Sequence, residues 1–128
     1  MKNNLKSIHE VHDQINEWLK SLDFVTDELG VFKNRLSEVS SKNNKLEVRA
    51  QIEHFENQFI MRKEQVDEYR HMLKEQQHEL TKKAANHPFT TDNHFLRENL
   101  ETADKINSFT AAVKEMKDEF NEFLGKVL

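Results

Sequence analysis

Apolar residues recur along the first third of the chain in alternating steps of three and four. Ile8, Val11, Ile15, Trp18, Leu22, Val25, Leu29, Phe32, Leu36 and Val39 form one unbroken series. That spacing belongs to a helix packed lengthwise against other helices, because it keeps one stripe turned to its neighbours. The series passes Gly30 without losing phase. It therefore predicts one long helix, against the competing arrangement of four unequal helices with a break at the glycine.

Two polar segments interrupt the pattern. The first is Ser40-Ser41-Lys42-Asn43-Asn44-Lys45, where Asn44 and Glu47 have the spacing of a capping box opening the next helix. The second is Asn86-His87-Pro88-Phe89-Thr90-Thr91-Asp92. Pro88 disfavours helix at His87, and Thr91 or Asp92 suits the cap of a third helix. Between the breaks runs a second stripe: Val48, Ile52, Phe55, Phe59, Arg62, Val66, Tyr69, Leu73, Gln76 and Leu80. The third stripe holds register from Ile106 through Phe109, Val113, Met116, Phe120, Phe123 and Val127. Upstream, Leu96, Leu100 and Ala103 reach Ile106 only through an extra three-residue step, a predicted phase slip.

These stripes predict an all-α fold: one domain over residues 1–128, with long helices over about 3–41, 46–86 and 93–126. Each helix measures on the order of 50–60 Å at ~1.5 Å per residue. Short connections make neighbours antiparallel, which gives an up-down-up bundle with coiled-coil-like packing. A turn near residue 43 sets residue i of the first helix level with about residue 87 − i of the second. A turn near residue 89 sets residue j of the second level with about residue 179 − j of the third. At the first-turn end this brings Phe32, Phe55, Phe59, Phe120 and Phe123 to one height. Arg62 lies lower on its stripe and is expected to reach a flanking carboxylate, Glu28, Glu115 or Asp118, and so to fix register.

Composition agrees. Charged residues make up 33% of the chain and the hydrophobic class 36%, with only two glycines and one proline. So low an apolar share suits a slender bundle in which each helix buries one stripe and wets the rest. The net charge is −4 and the signs are interspersed. Residues 1–41 carry 5 positive and 7 negative charges, residues 42–86 carry 9 and 8, and residues 87–128 carry 5 and 8. No segment has the basic excess that a phosphate backbone demands, so nucleic acid is not an expected partner. With no cysteine, disulfides and thiol chemistry are excluded, and a metal would need histidines and carboxylates. No signal-peptide core and no membrane-spanning stretch is present, so a cytoplasmic location is expected.

The histidines are unevenly placed. His9, His12, His71, His78, His87 and His94 fall in the half of the bundle away from the first turn, and only His54 lies outside it. Carboxylates accompany them, and Glu75-x-x-His78 has the spacing used by helical di-iron sites. The metal-site expectation is a transition ion such as zinc or iron held by His9, His12, Glu75, His78 and Glu101. Helical angles weigh against it. His71 and His78 sit on the outer face and lie about 10.5 Å apart along the axis, too far to share one ion. The ordinary expectation is a solvated polar rim, and a third is imidazoles that charge near their usual pKa of about 6.5.

Four apolar residues stand off the stripes at mid-bundle: Phe24 and Val31 on the first helix, Ile60 and Met61 on the second. Together they are expected to form a lateral patch for a protein partner or a second copy, unless the helices rotate to bury them. No phosphate loop, nucleophile elbow or zinc-protease motif occurs. The functional expectation is therefore a non-enzymatic interaction or scaffold module, with metal binding as the alternative.

Asn16-Glu17-Trp18-Leu19, Asp27-Glu28-Leu29-Gly30 and His87-Pro88 resemble spectrin-like repeats, which are three-helix bundles with a tryptophan in the first helix. The likeness covers these short pieces. The span from Gly30 to His87 is longer than such repeats allow, and the Ser41–Lys45 break has no counterpart. The resemblance therefore implies a shared architecture and no shared function.

Overall fold

A computed structural model describes residues 7–86 and 93–128. Three helices account for nearly all of them: α1 over Ile8–Lys42, α2 over Leu46–Asn86 and α3 over Asn93–Val127. They pack side by side as the expected up-down-up bundle, and the described residues contain no strand.

The start of α1 differs from expectation. The helix was expected from about residue 3 but begins at Ile8, because Ser7 is extended and its Oγ accepts the Glu10 N–H at 3.1 Å. Ser7 thus satisfies one of the free amides of the first turn. Residues 3–6 lie outside the described residues. At the other end of α1, the Asn43 side-chain amide donates to the Val39 carbonyl at 3.0 Å, and Ser41 Oγ donates to the Glu38 carbonyl at 2.8 Å. Both side chains fold back onto carbonyls near the C-terminal end of α1. Arg49 closes the turn, with Nη1 3.2 Å from Ser40 Oγ. The Asn44 cap does not form. Arg49 N–H bonds the Lys45 carbonyl at 3.0 Å, which makes Lys45 the capping position, one residue later than expected. The expected caps Thr91 and Asp92, with His87 and Pro88, lie outside the described residues.

All ten stripe residues of α1 are buried, and the helix runs through Gly30 unbroken. α2 buries Ile52, Phe55, Phe59, Val66, Leu73 and Leu80 against them. The five phenylalanines meet as expected. Phe120 is fully buried at their centre, with ring centroids 5.4, 5.2 and 5.1 Å from Phe32, Phe55 and Phe59. Offset and edge-on contacts of this kind add to the stabilisation that burial alone provides.

α3 corrects the expected phase slip. Its buried stripe continues backward from Ile106 through Thr102 and Asn99, with Phe95 half-buried, so the three-four spacing never breaks. Leu100 faces solvent at 67% exposure. Here the phase set by three turns of well-packed helix outweighs the hydrophobicity of one leucine.

Register between α2 and α3 agrees with expectation to within one residue: Tyr69 stacks edge-on to Phe109, and Phe55 packs on Phe123. Between α1 and α2 the meeting side chains are offset. Asn16 bonds Gln77 and Asp23 pairs with Arg70, each six residues further along α2 than expected. Nearer the turn the offset is smaller: Phe32 meets Phe59, four residues further along α2 than expected.

Candidate functional site

The histidine-rich end is built from neighbours along single helices. His9 Nε2 lies 3.5 Å from Asp13, His71 Nε2 3.1 Å from Glu75, and His94 Nε2 4.0 Å from Glu98. Each pair is four residues apart, the spacing that stacks side chains on one helix face. Of the expected metal donors, His9 is thus turned to Asp13, and Glu75 to His71 in place of His78. His12 is half-buried, its Nδ1 3.4 Å from the Asn16 amide nitrogen, while His78 and Glu101 are exposed. Among the described residues, no three His, Asp or Glu side chains come together in a group that could hold a metal ion. The stripes explain this: they use the inward positions of all three helices and leave these donors on diverging outer faces.

A polar layer lies between the histidines and the phenylalanine core. Gln76 Nε2 donates to Thr102 Oγ1 at 2.9 Å, and both residues are buried. Beside it, Gln77 Nε2 donates to Asn16 Oδ1 at 2.8 Å, tying α2 to α1. Asn99 is buried one turn from Thr102. The sequence signal for this layer was Gln76 on the second stripe, level with about residue 103 of α3. Thr102 gives no such signal, because Leu100 and Ala103 beside it fit an apolar stripe and it does not.

Arg62 does not do what its position predicted. Nη1 donates to Gln65 Oε1 at 2.8 Å, Nε is buried without a partner, and no ion pair to Arg62 forms among the described residues. Its expected partner Glu28 is held at 2.6 Å by Lys117 Nζ, reaching across from α3. Register is instead tied by Lys117–Glu28 between α3 and α1, by Arg70–Asp23 at 2.6 Å between α2 and α1, and by the polar layer. The Glu28 carboxylate, through its hydrogen bond and its charge, raises the Lys117 pKa above its ordinary value; partial desolvation opposes this more weakly.

The four off-stripe apolar residues are exposed: Phe24 at 62%, Val31 at 58%, Ile60 at 59% and Met61 at 40%. No rotation of the helices buries them. They do not share one groove, however. Ile60 borders a groove of about 670 Å³ between α1 and α2, with Leu29, Leu36 and Phe59 along it. Phe24 borders a smaller one of about 440 Å³ between α1 and α3, beside Val25 and Val113. The expected single patch is therefore divided around the α1 surface. Among the described residues, no helix is long and apolar enough to cross a membrane. No family model, curated protein or solved structure matches this chain.

Proposed function

We propose that this chain is a non-enzymatic interaction module, a rigid three-helix rod that presents apolar side chains at mid-length to another protein surface. The observation that carries the reading is the exposure of Phe24, Val31 and Ile60 near mid-length, beside an α1 stripe that is wholly buried. Single exposed hydrophobes are common. Two of these three, Phe24 and Ile60, border open grooves with apolar floors and supply the kind of anchor that protein interfaces use.

The test compares the wild-type chain with Phe24→Glu and Ile60→Glu by affinity capture and by sedimentation. A stoichiometric partner, a second copy or another protein, is expected to bind the wild type and to be lost in at least one variant. A wild type that stays monomeric when concentrated, and captures nothing that the variants fail to capture, rules the reading out.

A further inference from the structure

The α1/α2 groove has an apolar floor and a gap in its wall. Leu29, Leu36 and Phe59 form the floor, and Ile60 stands at the rim. The gap is Gly30, in the middle of a 35-residue helix, where glycine costs about 1 kcal/mol relative to alanine. Nothing within the described chain requires that gap, since a Cβ built at Gly30 meets no atom within 4 Å. The groove walls also carry charge without internal partners. Lys33 on α1 and Glu56 on α2 line it, and neither forms an ion pair among the described residues.

Contacts across the groove fix the heights of these groups. The Phe32 and Phe59 rings lie 5.9 Å apart, and Arg49 reaches Ser40. Residue 30 therefore stands level with about residue 60, and residue 33 with about residue 57, at ~1.5 Å per residue. A two-fold axis parallel to the bundle keeps every height while exchanging α1 for α2. Under that operation Gly30 faces the partner's Ile60 and Lys33 faces the partner's Glu56, and each contact occurs twice. A two-fold perpendicular to the bundle at the same level would instead set Glu56 against the partner's Glu64, a like-charge pair.

We propose that a second copy of this chain seats on the α1/α2 groove about a parallel two-fold, α1 of each copy over α2 of the other, with Ile60 of each filling the space above the partner's Gly30. The proposal rests on the interaction reading and names its partner. The charges set the alignment, and the isoleucine in the glycine gap anchors it.

Sedimentation equilibrium of the full chain, from low to high micromolar concentration, tests this, with circular dichroism confirming that each variant folds. The expected result is a reversible dimer. Ile60→Glu and Gly30→Leu each weaken it by about tenfold or more, the loss of a central anchor. Lys33→Glu and Glu56→Lys each weaken it, and the two together restore it. Phe24→Glu, on the other groove, leaves it intact. A wild type monomeric throughout overturns the proposal, although capture of a different protein would leave the interaction reading standing. A dimer that survives Ile60→Glu, or a charge exchange that fails to restore association, also overturns it.

Discussion

Gln76 of α2 and Thr102 of α3 are both buried and hydrogen-bonded to each other at 2.9 Å. Neither side chain has water to replace its partner. Thr102→Val is expected to lower stability by about 1–3 kcal/mol, because it leaves the Gln76 amide buried with a lost acceptor. Combining it with Gln76→Leu should recover much of that loss, since two apolar groups of similar shape need no bond. Denaturant melts of the four proteins in the cycle measure the coupling. If the single substitutions are neutral, the bond does not hold in solution.

Phe120 touches Phe32, Phe55 and Phe59 and is fully buried. Phe120→Ala removes the ring from all three contacts and leaves a cavity, at an expected cost of about 3–5 kcal/mol. Phe24→Ala, at an exposed position, should stay within about 0.5 kcal/mol of wild type. Thermal melts at low protein concentration separate the two; equal effects would mean that the core is not centred on Phe120.

Gly30 offers open space to a methyl group and has no positive φ. Gly30→Ala should therefore raise the stability of the isolated chain by about 0.5–1 kcal/mol through helix propensity and lower unfolded-state entropy. Urea titration at low protein concentration, where association does not contribute, measures it. A destabilised variant would mean that the helix bends or packs tightly at this residue.

Lys117 is held above its ordinary pKa of 10.5 by Glu28. A base whose folded-state pKa is raised contributes stability that is fully present below its unfolded value. That contribution is lost as pH climbs through the folded value. The Lys117–Glu28 pair should thus stabilise the fold up to about pH 10.5 and fade above it. Lys117→Met should remove that alkaline component and leave the profile near neutrality parallel to wild type. Stability measured from pH 8 to 12 checks it; an unchanged alkaline slope would show that the pair is not formed.

Architecture was legible wherever the stripe residues were apolar. The buried face of α1 could be read from its ten positions, and the phenylalanine layer followed from heights alone. The reading failed where a polar residue held an inward position. Thr102 and Asn99 are buried and Leu100 is exposed, although apolar spacing alone puts Leu100 on the stripe. The inward positions are set by the phase of the whole helix, and Gln76 satisfies Thr102 from across the bundle. Arg62 failed differently: its stripe position was clear, but which cation Glu28 would take depended on side-chain reach that spacing does not encode. The Ser7-Ile8-His9-Glu10 segment has the spacing of a capping box, and Ser7 does cap α1. Among the candidate sites, exposure of Phe24, Val31, Ile60 and Met61 followed from their angles. The placing of Ile60 and Phe24 on two different grooves required knowing which neighbour lies on each side of α1.

The ring cluster around Phe120 also makes the rod unequal along its length. Near the α1–α2 turn, layers are joined by aromatic faces that water cannot replace. Toward Ile8 they are joined partly by amides and hydroxyls, whose bonds water can take over once the layer opens. Transient opening therefore has a direction, starting where α1 begins and travelling toward the turn. Amide exchange along α1 should slow progressively from its first turns to the neighbourhood of Leu36, so that the protein breathes from one tip while the other stays shut.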